Sequence, residues 1–421
     1  MSKPNRRSFL SAGATSLLIL SQGAAASPNE RARHAVIGCG GQGRAHGQAF
    51  ARQSGCAVAA VCDVDPARRA EAVKELPDPH SVAAHEDYRR LIEDPSIDTV
   101  SIATPDHWHA PIALAALRAG KPVYVEKPCC HTLHEGALLV EAARKYQRCV
   151  QHGTQSRGGQ GIRYAIQYLR EGHLGRVRLA KAINHQFRGP IGRAPDEAPP
   201  AGVNYDLWLG PAPQRPFSHN RWHYNWHWHW DYGTGDLGND GIHQVDVARW
   251  GLGVEWPRAV TASGGQLFYD DDHETPDTQV VTFEYPECYL MFEMRLWTDY
   301  PLEGHDNGVI FYGDKGILEI GRHGCEVTLI GQEKKKIGGG VDLDEHVRNF
   351  LECARTGDAD KLFAPIHEGY LSAALCHLGN IATRVSARLE YDPVSRTFKN
   401  NPAADRLVSK TYRPGYELPP L

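Results

Sequence analysis

The sequence predicts two folded units. The first is an α/β domain with a doubly wound parallel sheet; the second is an α+β domain on an open, mainly antiparallel sheet. Three observations carry this. From about residue 32 to 155, short apolar strands alternate with helical stretches of about ten to fifteen residues, as in a parallel sheet covered on both faces. A glycine turn, Gly38-x-Gly40-x-x-Gly43, separates the first strand from the first helix. Beyond about Arg258 the pattern changes to β-rich runs joined by tight turns.

The elements follow in order. Residues 1–26 contain Arg6-Arg7, Phe9-Leu10, a short apolar stretch and Ala24-Ala25-Ala26. This resembles a twin-arginine export signal, so a periplasmic location is expected. The stretch is too short and too broken by Gly, Ser and Thr to span a bilayer. Cleavage would take three of the 46 basic residues and no acid, leaving 43 against 50 acidic and a net charge of −7. With no basic block, nucleic acid and anionic membrane are not expected partners. The ten cysteines are scattered with no C-x-x-C pair, which favours buried free thiols over a disulfide framework.

In "HAVIGCGGQGRAHGQAF" a strand runs into the glycine turn and a helix. Gly38 makes the turn, Gly40 admits a phosphate close to the backbone, and Gly43 packs helix on strand. Gly41 and Gln42 open the helix, whose free N–H groups suit a pyrophosphate. The next strand, "AVAAVCDVD", reaches Asp63 twenty residues after Gly43. A carboxylate there accepts from ribose hydroxyls and repels a 2′-phosphate, so NAD(H) is expected over NADP(H). The strands "DTVSIATP", "KPVYVEKP" and "RCVQHGTQ" follow, with helices from about His109 to Ala119 and Thr132 to Gln147. Ligands sit off the carboxyl ends of such strands. Thr104, Pro105, Glu126, Lys127 and Gln155 fall there.

These segments, together with "GTGDLGNDGIHQVD", resemble the Gfo/Idh/MocA oxidoreductase family, named for glucose–fructose oxidoreductase and inositol dehydrogenase. The resemblance implies a Rossmann-type domain, bound NAD, and a lysine between nicotinamide and substrate, at Lys127 in the E-K-P step. It sets Thr104, Pro105 and His109 beside the nicotinamide and a catalytic histidine at His243. The chain departs from the pattern at Asp106, where the family usually has Asn, at Thr234 for a glycine, and at Asn239 for an aspartate. On a helix Asn239 and Asp240 both lie one turn from His243, so either could partner it.

Residues 156–400 are expected to form the second domain, with 401–421 as a tail. "AVTASGGQLFY", "DTQVVTFEYPECYLMFEMRLW" and "GVIFYGDKGILEIGRHGCEVTLIG" read as its strands. An open sheet face of this length implies a homo-oligomer. The acidic loop Asp270–Asp277 lacks the ligand spacing of an EF-hand and reads as a solvated turn. The stretch His219–Tyr232 holds four tryptophans and four histidines. Read as a strand, Trp222, Tyr224, Trp226, Trp228 and Trp230 share one face and His223, Asn225, His227 and His229 the other. His227 and His229 lack the further ligands a zinc site needs. Part of the run should be core and part, Trp228 and Trp230 with Asn239, Asp240 and His243, the wall of a carbohydrate site. The Pro/Gly-rich segment before it is expected to lie over the same cleft.

The leading expectation is an NAD-dependent oxidoreductase acting on a sugar or polyol hydroxyl, with its cofactor retained and recycled in place. The alternative cleaves a glycoside by oxidation, elimination and re-reduction. A binding protein without catalysis is the third reading.

Overall fold

The computed structural model describes residues 31–421; the expected export signal lies outside the described residues. The first sheet is built from β1 (Ala32–Ile37), β2 (Cys56–Cys62), β3 (Ala83–His85), β4 (Thr99–Ile102), β5 (Val123–Val125) and β6 (Val150–His152). All its pairings are parallel, in the order β3-β2-β1-β4-β5-β6. The strand order reverses beside β1, which opens a crevice at the carboxyl ends of β1 and β4. Helices α1 (Gly41–Ala51), α2 (Pro66–Lys74), α3 (Arg89–Glu93), α4 (Asp106–Arg118) and α5 (Leu133–Tyr146) connect them.

Local chemistry sets the helix ends. Asp65 caps α2 by accepting from the Ala67 N–H, with Pro66 at the first helical position. Thr132 caps α5 through the Glu135 N–H, while the Glu135 carboxylate accepts from His131 N–H at 2.7 Å. Helix α4 starts at Asp106, three residues before the expected His109. Pro105 ends the preceding extended segment and the Asp106 carboxylate suits the positive helix end.

Helix α6 (Gln160–Arg170) leads to β7 (Val177–His185), which the sequence reading did not assign. After the short α7 (Tyr205–Leu209) and α8 (Ile242–Leu252) come β8 (Ala259–Gly265), β9 (Thr278–Glu284), β10 (Tyr289–Arg295), β11 (Asn307–Gly313), β12 (Gly316–Gly321), β13 (Gly324–Leu329) and β14 (Lys335–Gly338). The second sheet runs β14-β13-β12-β11-β7-β10-β9-β8. It is antiparallel except where β7 meets β10. Helices α8 and α10 (Ile366–Val385) pack beneath it, and α9 (Leu343–Thr356) returns to the first domain, where Arg52 pairs with Asp344.

Two expectations are corrected here. The aromatic run is not a strand: it folds as single 3₁₀ turns at His219–Arg221 and Asn225–Trp228. No sheet edge is paired with it, and Trp208, Phe217, Trp222 and Tyr232 gather into a separate apolar cluster. The acidic loop is not a solvated turn. Asp277 is fully buried and accepts from the N–H groups of Leu267, Phe268 and Tyr269, while Asp271 and Asp272 accept from Ile191 and Ala194. These carboxylates satisfy loop backbone that would otherwise be orphaned. No cluster of potential metal ligands occurs among the described residues. All ten cysteines are unpaired and buried. No described helix is long and apolar enough to cross a membrane.

Candidate active site

The crevice above β1 is shaped for a ligand by its glycines. Gly38 has φ +89°, and a Cβ there would lie 2.5 Å from the Ala103 carbonyl oxygen. A Cβ on Gly43 would lie 1.7 Å from the Gly38 oxygen. Gly40 and Gly41 instead face open space. Helix α1 therefore begins with its first N–H groups free, since Gly40 brings no side-chain cap. Asp63 lines the crevice, but each of its oxygens already accepts a backbone N–H, from Cys39 at 2.7 Å and Asp65 at 3.0 Å. Burial pushes its carboxyl above the usual carboxylate range. Arg68 lies on the same lining.

Glu126 gathers three expected site residues. Its carboxylate, 3% exposed, accepts from Gln42 Nε2 at 2.9 Å, Gln155 Nε2 at 2.8 Å and the Lys127 N–H at 3.1 Å. His46, which the sequence reading did not single out, completes the set at 2.9 Å. Burial works against the charge, but the His46 hydrogen bond and the nearby Lys127 hold the carboxyl well below the usual range. Glu126 thus ties β5 to the glycine turn and to the segment after β6. His109 bridges Thr104 O at 2.7 Å and Pro128 O at 2.6 Å. Both partners are carbonyl oxygens, which fix the ring between the end of β4 and the segment after β5.

Lys127 projects from the end of β5. Its Nζ donates to Asn239 O at 2.7 Å and meets Asn239 Oδ1 at 3.3 Å. The Asn239 amide in turn donates to Asp236 at 2.8 Å. Asp240 turns to the second sheet, accepting from Asn307 at 2.7 Å and from Gln186. Neither Asn239 nor Asp240 hydrogen-bonds His243, which corrects the expected pairing. The reason is local: Leu237–Gly241 forms a π-helical turn before α8, so the spacing of a regular helix does not apply there. Burial first, then the Lys127 charge, lowers the His243 proton affinity, against Asp240, Glu126 and Asp246.

A cavity of about 480 Å³ joins these parts. It runs from Gly38, Gly40, Gly41 and Gln42 past Thr104, Pro105, Asp106 and His109 to Glu126, Lys127 and Asn239. Its roof is the segment after β7: Trp208, Trp222, His223, Tyr224, Trp226 and His227. Trp228 and Trp230 do not line it. Trp228 is 1% exposed in the core beside His273, and Trp230 lies under the Arg384 guanidinium. The cavity residues of the run, Trp222 to Tyr224 with Trp226 and His227, follow no two-residue period, so such a period could not separate them from the core ones. The roof is fastened to the first domain: Asn204 Nδ2 to Glu86 at 2.7 Å, Trp108 Nε1 to Trp208 O at 3.0 Å, and His223 Nε2 to Asp65 at 3.1 Å. Thr104 Oγ1 and Trp222 Nε1 are buried without a partner among the described residues. Both belong to residues of this lining. Glycines that leave space, free helix N–H groups and orphaned polar atoms along one cavity fit an elongated dinucleotide.

The family model described as "Oxidoreductase family, NAD-binding Rossmann fold" matches residues 32–154, and that of the family's C-terminal alpha/beta domain matches 184–418. The chain belongs to the Gfo/Idh/MocA oxidoreductase family, and its first domain is that family's NAD-binding Rossmann fold. Among curated relatives it is similar to "Inositol 2-dehydrogenase 2" of Saccharopolyspora erythraea, 31% identical over 222 residues, covering 52% of this chain and 53% of that protein. A "Glycosyl hydrolase family 109 protein" of the same organism is 34% identical over 174 residues, 39% of this chain and 38% of that one. The alignments thus span about half or less of these relatives' length. In fold the chain is similar to a levoglucosan dehydrogenase solved with NADH, with a TM-score of 0.65 at 18% identity over 86% of this chain and 99% of that one.

Proposed function

We propose that this protein oxidises a sugar or polyol hydroxyl and keeps its NAD bound through turnover, with a carbonyl compound as the second substrate that takes the electrons back. The observation that carries this is the single roofed cavity leading from the glycine turn to Lys127. NAD, when bound, supplies the hydride acceptor at the nicotinamide end. The chain's own residues do the rest. Gly38, Gly40, Gly41 and Gly43 with Asp63 would hold the dinucleotide, and Thr104, Pro105 and His109 would flank its nicotinamide. Lys127 is held by Asn239 with the remaining position on its amine turned to a substrate hydroxyl. As the free amine it accepts that hydroxyl's proton on oxidation, and as the ammonium it returns the proton on reduction. His243, its proton affinity lowered beside Lys127, serves as a neutral hydrogen-bond acceptor. The Trp and Tyr rings of the roof offer flat apolar faces to sugar C–H groups, with His227 and Asn239 for hydroxyls.

Retention is supported by the roof, whose fastenings must open before a dinucleotide can leave. It also suits export by the twin-arginine route, expected from Arg6 and Arg7, to a periplasm without a free NAD pool. A dehydrogenase and a glycosyl hydrolase both appear among the relatives, so a second reading stands beside the first. In it, oxidation at one carbon acidifies the neighbouring C–H, that proton and the aglycone are lost, water adds to the resulting double bond, and re-reduction of the ketone restores NAD⁺. Incubation with a panel of sugars and glycosides separates the two. A ketosugar or lactone supports net oxidation, and free aglycone without accumulating NADH supports cleavage. Neither product across the panel would overturn both.

A further inference from the structure

We propose that Asp106 is a fixed anion at the nicotinamide end of the cleft that favours the oxidised form of the bound cofactor. The proposal rests on the reading of NAD in this cavity, and deepens it. Asp63, after β2, marks the adenosine side of the glycine turn. Residues after β4 and β5 lie on the other side of β1, the nicotinamide side. Asp106 belongs to this lining together with Thr104, His109 and Lys127.

Asp106 and Thr234 depart from the pattern the chain resembles, and they meet. The Thr234 hydroxyl donates to Asp106 Oδ2 at 2.7 Å, with both residues nearly fully buried. Thr234 is itself held where Asn380 Nδ2 donates to its carbonyl at 2.7 Å. An asparagine at 106 would accept the same hydroxyl proton, so what the carboxyl adds is charge. That charge answers a local need. Lys127 puts positive charge on the same lining, and oxidised nicotinamide carries another. Glu126 is already committed to His46, Gln42 and Gln155. Burial pushes the Asp106 carboxyl up to about 6, while His109, the Thr234 hydrogen bond and Lys127 favour its charged form. The oxidised ring gains from a carboxylate that the uncharged reduced ring does not feel.

The test is a redox titration of the cofactor bound to wild type, Asp106→Asn and Thr234→Val, followed by nicotinamide absorbance. Asp106→Asn keeps the shape and the Thr234 bond. It should raise the potential so that the bound NAD⁺:NADH ratio at fixed ambient potential falls at least about tenfold, ~30 mV for a two-electron couple. Thr234→Val should shift it the same way by less. An unchanged potential in Asp106→Asn, or a fall, would overturn the proposal, even if affinity for both forms drops equally as a structural role predicts. If wild type retains no nucleotide, the retention claim fails, yet the same titration with added NAD still reads this shift.

Discussion

Replacing Lys127 with Met keeps an unbranched side chain of similar reach and removes the charge, the donors and the transferable proton. Two separate magnitudes follow. Structurally, the loss is the contact of Nζ with the two Asn239 oxygens at 2.7 and 3.3 Å. A charge-assisted hydrogen bond of this kind contributes about 1.5–3 kcal/mol. Lys127 is only half-buried and water can replace it, so a loss at or below the lower end is expected. Chemically, a positioned acid–base group contributes about 10²–10⁴-fold, or about 3–5 kcal/mol of barrier. The variant should therefore fold, melt within a few degrees of wild type and retain nucleotide, while turnover falls by roughly 10²–10⁴-fold. Turnover on a substrate confirmed by product analysis, with bound nucleotide and melting temperature measured on the same preparation, reads all three. His243→Ala should lose less than Lys127→Met, because burial and the Lys127 charge keep that ring neutral. Near-wild-type turnover in Lys127→Met would refute the assignment.

Three other outcomes are expected. Asp63→Ala should narrow the preference for NAD(H) over NADP(H) in calorimetry and lower the melting temperature, since Asp63 also holds the Cys39 and Asp65 N–H groups; wild type binding NADP(H) more tightly would contradict this. Despite its burial, Asp246 is held down to about 2, from 3.8, by Arg157 with help from Arg249 and Ser372. Its stabilisation is therefore present above about pH 4 and lost as pH falls towards 2, about 2 kcal/mol in all. Urea unfolding at pH 5 and about pH 2 should show that extra loss in wild type and not in Asp246→Asn. The open face of the second sheet exposes Val280 and Tyr289, so light scattering at micromolar concentration should find a homo-oligomer; a monomer would contradict it.

The parallel sheet was legible because its strands are buried on both faces and read as unbroken apolar runs, as in Cys56–Cys62. The glycine turn was legible because sterics leave few residue choices at Gly38 and Gly43. Strand β7 was not, because its open face carries Lys181, paired with Glu293 on β10 and with Glu303, and its start carries Arg178, paired with Glu287 in the turn before β10. Charge there broke the apolar pattern without breaking the strand. The aromatic run misled in the opposite sense. Trp and His alternate from Trp226 to Trp230 and satisfy a strand period, yet tertiary contacts with α4 and α7 fold the chain into turns. The π-helical turn that sends Asn239 to Lys127 has no local signature. The pairing of Asp106 with Thr234, far apart in sequence, became visible only once the fold placed them together.

Native mass spectrometry of the purified, undialysed protein tests the central claim most directly, because it reports cofactor identity and retention in one spectrum. The account predicts one dinucleotide per chain, of a mass without a 2′-phosphate, surviving purification. A chain that carries no dinucleotide, or one bearing a 2′-phosphate, would contradict it.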